Sequence, residues 1–334
     1  MCNAQTPERP FISVIIPTYN RSDLLPRTLD SFLAQTYPQD RFEIIVANNA
    51  STDETLNVVA RYRHTEVRVS CITEPRQGVH FARNTAAKRA AGDILYFTDD
   101  DMVASPTLLE RIVLPFSLDE TVGSVTGRVV PLWLEPPPRW ILEQCSNHLL
   151  SLHDRQERLI ISPVDVGVFS CHQAIRKEAF LQSGGFNPEN TAGVWIGDGE
   201  TGLNIKLRSS GWTFAYVGDS VTQHIIPPTR TTQAYLNKRL ANQGNCDSYT
   251  TYRRERYSKW DLAKQILKHT ARGLLSCAKA AGTAAVGNSR CRSHVGMLFY
   301  SANRIRYDLR LMLDEEWRGL VLRDDWLSDD SPAQ

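Results

Sequence analysis

Three short apolar runs and a further strand-like segment lie within the first hundred residues, and segments of helical character separate them. The apolar runs cover residues 11–17, 42–47 and 94–98, and the further segment lies near residues 67–72. Continuous apolar runs of this length are typical of strands that are buried on both faces of a sheet. Strands that alternate with helices predict an α/β fold with a doubly wound, mostly parallel, Rossmann-like sheet.

The segments between the runs carry recognisable helix signals. Ser22 is placed to cap a helix whose apolar residues repeat through residues 24–33. Asp53 can open a second helix that extends to Arg63, and an alanine-rich helix over residues 79–92 ends at a glycine. In doubly wound sheets, ligands bind beyond the carboxyl ends of the strands. The residues that follow the apolar runs are therefore the first candidates for a functional site.

The character of the chain changes after the first half. Residues 133–140 (WLEPPPRW) contain three consecutive prolines, which exclude a regular helix or a central strand. From about residue 229 the chain becomes helical and rich in Arg and Lys. We therefore divide it into a catalytic domain over residues 1–228 and a helical C-terminal extension over residues 229–334. The extension can pack on the first domain, bind a partner or rest on a membrane surface, and packing is the interpretation that we favour.

Composition narrows the functional class. The chain has 38 basic and 37 acidic residues, a formal net charge of +1, which argues against a nucleic-acid-binding protein. Its seven cysteines are widely spaced and form no CxxC pair, which favours free thiols in a reducing compartment. The N-terminus lacks the apolar core of a signal peptide, and no apolar stretch reaches the ~20 residues of a spanning helix. We expect a cytoplasmic protein.

Three consecutive carboxylates, Asp99, Asp100 and Asp101, directly follow the last of these apolar runs. They would repel one another unless a cation lay among them. Oxygen ligands suit Mn²⁺ or Mg²⁺, and such ions commonly combine one or two carboxylates with substrate phosphates. A solvated turn or a helix N-cap is the alternative. The position at the carboxyl end of a strand favours the metal site.

Weaker signals occur further along. Asp198 and Glu200 flank a glycine, and a carboxylate there could act as a general base or simply lie in a surface turn. His224 follows an apolar segment, where a structural role is the commoner one. Arg83 lies near the start of a predicted helix, whose N-terminus favours phosphate. An arginine on a helix is nevertheless most often a solvated residue.

Taken together, the motifs resemble those of the inverting family 2 glycosyltransferases with the GT-A fold, over about residues 11–228. VIIPTYNR resembles the opening strand and nucleotide loop, IIVANNASTDET the second strand and base-binding turn, and QGVHFARN the arginine-containing helix start. YFTDDDM resembles the DxD metal motif, FLQSGGFNPE the acceptor-side element, GDGETGLNIKLRSSGW the motif of the catalytic base, and VTQH the terminal histidine. These motifs occur in the family's order.

The resemblance implies a role for individual residues. The nucleotide would contact Pro17, Thr18, Tyr19, Asn48, Arg83, Asp99 and Asp100. The metal would be held by Asp101, Asp99 and His224. Glu200 would be the catalytic base, with Asp198 as the rival candidate, and Gly185, Phe186 and Trp195 would lie on the acceptor side.

The chain departs from the family pattern at two positions. The family usually has Asp where this chain has Asn48, so the base pocket can persist while the nucleotide preference is open. The family's acidic motif is usually an adjacent Glu-Asp pair, whereas Gly199 separates the two acids here.

The resemblance implies an inverting, Mn²⁺- or Mg²⁺-dependent glycosyltransferase of polysaccharide or glycolipid biosynthesis. Its donor would be a nucleoside diphosphate sugar, with a UDP-sugar favoured, and its acceptor a glycan or lipid-linked sugar. A lipid-linked acceptor implies peripheral contact with the inner face of the membrane. One alternative is an inactive nucleotide-sugar-binding module. A sugar nucleotidyltransferase is less favoured, because the loop PTYNRSD lacks the glycines that hold a triphosphate.

Overall fold

The structure, a computed structural model, describes residues 9–145, 147–191 and 193–328. Its main feature is a nine-stranded mixed sheet with the order β3-β2-β1-β4-β8-β6-β11-β5, in which β7 also pairs with β11. The strands of this sheet are β1 (Ile12–Thr18), β2 (Phe42–Asn48), β3 (Arg68–Thr73), β4 (Ile94–Thr98), β5 (Met102–Ala104), β6 (Val122–Trp133), β7 (Leu159–Ser162), β8 (His172–Arg176) and β11 (Thr213–Ile226). A separate two-stranded ribbon consists of β9 (Asn190–Thr191) and β10 (Val194–Trp195).

The first half of the sheet is parallel, as the apolar runs predict. Strand β1 lies between β2 and β4, and β3 pairs with β2. The register aligns Thr18 with Asn48 and Asn48 with Thr73, so these strands end at one edge of the sheet. The α/β, doubly wound fold class is confirmed. Antiparallel β8 joins this parallel half to β6 and β11.

Helices cover both faces of the sheet. Those of the first two thirds are α1 (Leu25–Leu33), α2 (Thr55–Ala60), α3 (Val79–Arg89), α4 (Leu108–Ile112), α5 (Leu114–Leu118), α6 (Arg139–Gln144), α7 (Lys177–Gln182) and α8 (Gly199–Ser209). Helices α1 and α2 bury Leu29 and Val58 against one face, and α3 packs its alanines against Ile15 on the other. Small side chains let α3 approach the sheet closely, which matters because its first turn reaches the site.

Two predicted helix ends are wrong. Ser22 does not cap α1: the helix begins at Leu25, where a proline supplies a preset φ angle. The backbone N–H of Ser22 donates instead to Asp53 Oδ2 at 2.9 Å. Helix α2 ends at Ala60, before Arg63. Asp53 does accept a hydrogen bond from the N–H of Thr55 at 3.1 Å, so it tethers two loops at the strand ends.

The C-terminal part is helical, with α9 (Gln233–Glu255), α10 (Lys259–Ala285), α11 (Cys291–Leu313) and α12 (Glu315–Val321). Helix α11 packs between α9 and α10. The segment after α12 returns to the first part of the chain: Trp326 N donates to Gly184 O, and Lys88 Nζ donates to Leu327 O, both at 2.9 Å. The predicted packing of this region on the α/β part is thus present in the structure.

Two observations concern the remaining expectations. Over the described residues, no helix is both long enough and apolar enough to cross a membrane. The six cysteines among them are unpaired. Cys2 lies outside the described residues.

Candidate active site

A cavity of about 610 Å³ lies at the carboxyl ends of β1, β2 and β4. We call it the strand-end cavity. Three loops supply most of its wall, because the strands they follow end at the same edge of the sheet. Its lining includes Pro17, Thr18, Tyr19, Arg21, Asn49, Gln77, Gly78, Val79, Asp99, Asp100, Asp101, Glu189, Arg230 and Lys238. The aspartate triplet therefore lies where the strand order predicts a ligand.

The three aspartates have different surroundings. Asp99, which is 36% exposed, accepts from Arg83 Nη2 at 2.5 Å. Asp100 is buried and accepts from Thr18 Oγ1 at 2.7 Å. Burial, and next the neighbouring charge of Asp101, raises the pKa of Asp100 to about 7. The triplet is thus not a solvated turn, since two of its three carboxyl groups are buried.

Asp101 lies between cations. One carboxylate oxygen accepts from Arg230 Nη2 at 2.6 Å and from Arg21 Nη1 at 3.2 Å. Burial acts to raise the pKa of Asp101, but His224, Arg230 and Arg21 together hold it below its ordinary value. Asp101 is therefore ionised, and its charge is balanced by neighbouring side chains in the structure.

The surroundings of Asp101 also test whether a divalent cation fits. Its second oxygen, Oδ1, is buried without a hydrogen-bond partner among the described residues and lies 3.8 Å from His224 Nε2. His224 Nδ1 is 2.8 Å from Leu150 O, which orients the imidazole with Nε2 toward the carboxylate. Arg230 Nη1 contacts the same nitrogen. An unsatisfied carboxylate oxygen beside an imidazole fits Mn²⁺ or Mg²⁺, provided that Arg230 moves aside.

A second group of ligand atoms is already close together. His80, Glu189 and Glu200 each place one such atom within 4.8 Å of the others. A guanidinium faces this imidazole, as one faces that of His224: Arg83 Nη1 lies 3.3 Å from His80 Nε2. Burial, and next the Arg83 charge, lowers the pKa of His80 well below its ordinary value. Unlike Asp101, neither glutamate of this group has a buried oxygen without a hydrogen-bond partner among the described residues, and we describe the group as a network of titratable side chains around Glu200.

Glu200 opens into a smaller cavity of about 230 Å³, which we call the helix cavity because α8 contributes Glu200 to it. Its lining includes Val79, His80, Arg83, Asp99, Ser170, Glu189, Trp195, Glu200, Arg239 and Asn242. Val79, Asp99 and Glu189 line the strand-end cavity as well. Arg83 connects the two, because it donates to Asp99 and, at 2.8 Å, to Ser170 Oγ. The two cavities are therefore adjacent and share a charged wall.

Glu200 and Asp198 face different spaces. Glu200, whose side chain is 23% exposed, accepts from Ser170 Oγ at 3.1 Å, and burial raises its pKa. Asp198 is buried, with one oxygen bonded to Asn187 Nδ2 and the other to Thr250 Oγ1, both at 2.8 Å. It lines a different cavity, beneath α8. Of the two acids, only Glu200 is among the residues that line the helix cavity.

Gly199 makes this arrangement possible. Its φ of +54° lies in the left-handed region, which side chains disfavour. A Cβ at this position would also lie 2.5 Å from Glu189 Oε1 and 2.7 Å from the His80 ring. The glycine between the two acids therefore turns one toward the core and the other toward the cavity, and it lets the network around Glu200 close.

The predicted base-binding turn brings Asn49, and not Asn48, to the wall of the strand-end cavity. Asn48 is buried, and its Oδ1 accepts from Ser51 N at 2.9 Å. Asn49 is the residue that lines the strand-end cavity. It accepts from Gly78 N at 2.7 Å and donates to Arg76 O at 2.7 Å, so it joins the ends of β2 and β3 to the start of α3. Tyr19 is 47% exposed beside them, available for stacking.

The predicted acceptor-side residues separate into two groups. Phe186 is buried against His80 and Phe97, and its backbone exchanges hydrogen bonds with the Asn84 amide at 2.9 and 3.0 Å. Gly185 is packed so closely that a Cβ would lie 2.8 Å from Asn84 Oδ1. These two residues support α3 from behind. Trp195, in contrast, lines the helix cavity.

Comparison with known proteins agrees with the fold and the motifs. The sequence profile of "Glycosyl transferase family 2" matches residues 13–183, which is more than half of the chain. The chain belongs to this family. It is 35% identical over 109 residues to the glycosyltransferase AglE of Haloferax volcanii. It is 38% identical over 129 residues to the poly(ribitol-phosphate) beta-N-acetylglucosaminyltransferase TarS of Staphylococcus aureus.

The sequence alignments are partial. They cover 32% and 36% of this chain and only 36% and 22% of the two relatives, well under two thirds of their length. The structural likeness is more extensive. The mannosyltransferase PcManGT of Pyrobaculum calidifontis, solved with GDP-Man and Mn²⁺, superposes with a TM-score of 0.60 at 22% identity. The superposition covers 92% of this chain and 88% of that one. It supports the GT-A fold over the chain.

Sequence reasoning missed several residues of this family 2 site. Arg21, Glu189, Lys238 and Arg230 line the strand-end cavity, but none of them was given a role. Arg21 and Glu189 are the last residues of the VIIPTYNR and FLQSGGFNPE motifs, and a cation beside a nucleotide loop was a usable signal. Arg230 and Lys238 come from the region assigned to the extension or its boundary. Their contribution depends on how α9 packs, which local patterns do not specify.

Proposed function

We propose that this family 2 glycosyltransferase moves a sugar from a nucleoside diphosphate donor to an acceptor hydroxyl, with inversion. The observation that carries the proposal is the adjacency of two differently equipped cavities. The strand-end cavity holds the aspartates, and the helix cavity holds the partly exposed carboxylate of Glu200. Donor and acceptor would meet at the wall that the cavities share.

The donor would lie in the strand-end cavity. Tyr19 is exposed for stacking on the base, Pro17 and Thr18 line the adjoining wall, and Asn49 is better situated than Asn48 to contact the base. We keep Asp99, Asp100 and Arg83 as donor-side residues. Arg21, Arg230 and Lys238 add positive charge that suits a diphosphate. We favour a UDP-sugar, although PcManGT was solved with GDP-Man.

Mn²⁺ or Mg²⁺ would be held by Asp101, Asp99 and His224. When bound, it supplies positive charge that stabilises the leaving diphosphate. The unsatisfied Asp101 Oδ1 and the adjacent His224 Nε2 are the observations that support this ligand set. The Mn²⁺ in the PcManGT structure is consistent with it. Arg230 would stay near the diphosphate as a second source of positive charge.

Glu200 would act as the general base. Its carboxylate takes the acceptor proton, the freed oxygen attacks the anomeric carbon, and the bond to the diphosphate breaks on the opposite face. One displacement of this kind inverts the configuration, and the nucleoside diphosphate leaves with the bonding electrons. Ser170 donates to Glu200 and also accepts from Arg83, so it holds the base in place. Trp195 would contact the acceptor.

The domain boundary follows from the same proposal. We assign residues 1–228 to the catalytic domain and residues 229–334 to an extension that completes the site. Helix α9 brings Lys238 to the strand-end cavity and Asn242 to the helix cavity. The relatives support a role in the synthesis of glycosylated polymers, since TarS is a poly(ribitol-phosphate) beta-N-acetylglucosaminyltransferase.

The proposal is tested by incubating the purified chain with UDP-, GDP-, dTDP- and CDP-sugars and Mn²⁺. We expect one nucleotide class to be released as the diphosphate, slowly with water and faster with a suitable glycan. Detection of the released nucleoside diphosphate by ³¹P NMR, with each donor incubated separately, identifies the nucleotide class that the protein uses. Tight binding of every donor without release would instead support the inactive binding module. Formation of a nucleotide sugar from a nucleoside triphosphate and a sugar 1-phosphate would identify a nucleotidyltransferase.

We also propose that α10 lies on an anionic membrane surface. Five exposed apolar side chains on its outward side follow one another at helical spacing, seven positions apart for the first two and three or four for the rest: Trp260, Leu267, Ala271, Leu274 and Ala278. Residues 262–285 contain four cations, all exposed, and no acidic residue: Lys264, Lys268, Arg272 and Lys279. An apolar stripe bordered by cations is the pattern of helices that rest at a lipid interface. A lipid-linked acceptor would be reached from such a surface.

Vesicle co-sedimentation tests this contact. We expect the chain to bind vesicles that contain phosphatidylglycerol and not pure phosphatidylcholine. Serine at both Leu267 and Leu274, which are 71% and 70% exposed, should weaken binding at least tenfold because the stripe loses its apolar contact. Leu142→Ser, at an equally exposed position on α6, is the matched control. Equal binding by the unaltered chain, the double variant and the control would contradict the proposal. A dimer in solution that buries the apolar stripe would contradict it as well.

A further inference from the structure

A third cavity of about 400 Å³ lies beside the two already described. We call it the side cavity. It shares Trp195 and Asn242 with the helix cavity, and Gly193 and Lys238 with the strand-end cavity. Its other walls come from α9, α11 and α12. An acceptor whose hydroxyl reached Glu200 would therefore extend past Trp195 into this space.

The charge of the side cavity is one-sided. Lys238, Arg306 and Arg310 line it, and no acidic residue does within the described part of the chain. Arg310 is partly committed, because it lies 3.4 Å from an Asp314 oxygen and stacks over the Trp317 ring. Lys238 and Arg306 are exposed, and no carboxylate among the described residues lies within ion-pair distance of either. Arg306, together with Lys238 at the border with the strand-end cavity, gives this concavity positive charge that favours an anionic ligand.

The uncharged lining suits a carbohydrate. Asn242 and Asn245 present side-chain amides, which carry donors and acceptors for hydroxyl groups. Among the described residues, neither amide has a hydrogen-bond partner. The Trp195 ring is half-buried between the side cavity and the helix cavity, and its Nε1 donates to Gly197 O at 2.8 Å. This hydrogen bond fixes the ring as a wall that both cavities use.

We infer that the side cavity binds an anionic group of the acceptor, next to the unit that carries the reacting hydroxyl. This inference rests on the proposed function, because it assumes that the acceptor enters through the helix cavity. The anion would be a phosphodiester or a sugar carboxylate. Both accept charge-assisted hydrogen bonds from guanidinium and ammonium groups, and Arg306 can bind either one through two parallel N–H donors.

The inference is tested by direct binding, so that it can be read without turnover. The probes are bis(glycerol) phosphate for a phosphodiester, glucuronate for a carboxylate and glucose as the neutral reference. Each is titrated calorimetrically with UDP, GDP and Mn²⁺ present in excess, to fill the strand-end cavity. We expect one anionic probe to bind at least tenfold more tightly than glucose. The preferred probe distinguishes a phosphate source from a uronate source.

Arg306→Gln tests the assignment of the site. It should weaken binding of the preferred anion by about 10–100-fold, the effect of losing one charged hydrogen-bond donor. Arg306 is exposed, so the fold should be unaffected. Arg89→Gln is the matched control, because Arg89 is an exposed arginine at the far end of α3 from the cavities.

The outcomes separate the inference from the function on which it rests. Weakening confined to Arg306→Gln supports the site, whether or not donor turnover has been detected. Equal weakening in both variants would mean that net charge alone attracts the probes, and would overturn the inference. Anions that bind no more tightly than glucose would overturn it too. Failure of donor release with intact anion binding would overturn the proposed function instead.

Discussion

Glutamine at position 200 is expected to lower kcat by about 10²–10⁴-fold, the usual effect of removing a general base. Glu200 is the proposed base among the carboxylates that line the helix cavity, and an amide in its place cannot accept the acceptor proton. Donor binding should persist, because the strand-end cavity is lined by other residues. The measurement is steady-state release of nucleoside diphosphate, together with the melting temperature shift that the nucleotide produces.

Asp198→Asn is the matched control for this change. It also replaces a carboxylate by an amide, two residues away. Asn187 donates to one oxygen of Asp198, and the Thr250 hydroxyl, which contacts the other, can also accept from an amide. We therefore expect the variant to fold and to keep most of its kcat. A loss of activity confined to Asp198→Asn would make Asp198 the base and overturn our assignment.

The pH dependence gives a second readout of the same assignment. Burial raises the pKa of Glu200 above the ordinary 4.5, against the opposing effects of Arg83 and Arg239. His80 is held neutral, and burial and the charge of Glu200 raise the pKa of Glu189 to about 8. A base works only when it is ionised, so kcat/KM should reach its maximum at high pH. It should decrease as the pH falls through the pKa of Glu200, which lies above 4.5, and the Glu200→Gln variant should not show this decrease.

Asp101→Asn should have the second largest effect, a loss of about 10²–10³-fold in kcat. The variant removes the carboxylate that we propose as the central metal ligand. It also leaves Arg230, which is only 18% exposed, without its ion-pair partner, so the melting temperature should fall. The decisive readout is therefore the part of the nucleotide-induced melting shift that depends on Mn²⁺. We expect this part to disappear.

Asp219→Asn controls for loss of an ion-paired aspartate in general. Asp219 forms an ion pair with Arg158 at 2.6 Å on the surface, and neither residue is among those that line the three cavities. Its replacement should change neither kcat nor the Mn²⁺-dependent shift. If Asp101→Asn kept a full Mn²⁺-dependent shift, the metal ligands would have to be sought elsewhere, with His80, Glu189 and Glu200 as the next group.

The first half of the fold could be predicted from the sequence because its signals are local. The buried runs that became β1, β2 and β4 are continuous and apolar, and alternation with helices defines the parallel order. Strands β6 and β8 escaped prediction. Their side chains are buried by pairing with distant segments, as when β8 inserts between β4 and β6, and periodicity alone does not specify such pairings.

The candidate site likewise combines residues that local sequence patterns identify with residues that only tertiary packing places. The aspartate triplet and Glu200 were identifiable because a strand end or a glycine marks them. Asn49 lies at the cavity wall and Asn48 does not, because Asn48 Oδ1 accepts a hydrogen bond from Ser51 N within the turn. The burial of Phe186 depends on its packing against α3. Arg230 reaches Asp101 across 129 positions of sequence, a contact that tertiary packing alone creates.

The most direct test of the account is the melting temperature of the chain with UDP, GDP, dTDP and CDP, each with and without Mn²⁺. Binding to the folded state raises the melting temperature by an amount that grows with the ratio of the ligand concentration to its Kd. We predict that one nucleotide, with UDP favoured, produces a rise that requires Mn²⁺. No rise with any nucleotide, in a protein shown to be folded, would contradict the assignment of the strand-end cavity to a nucleotide-sugar donor.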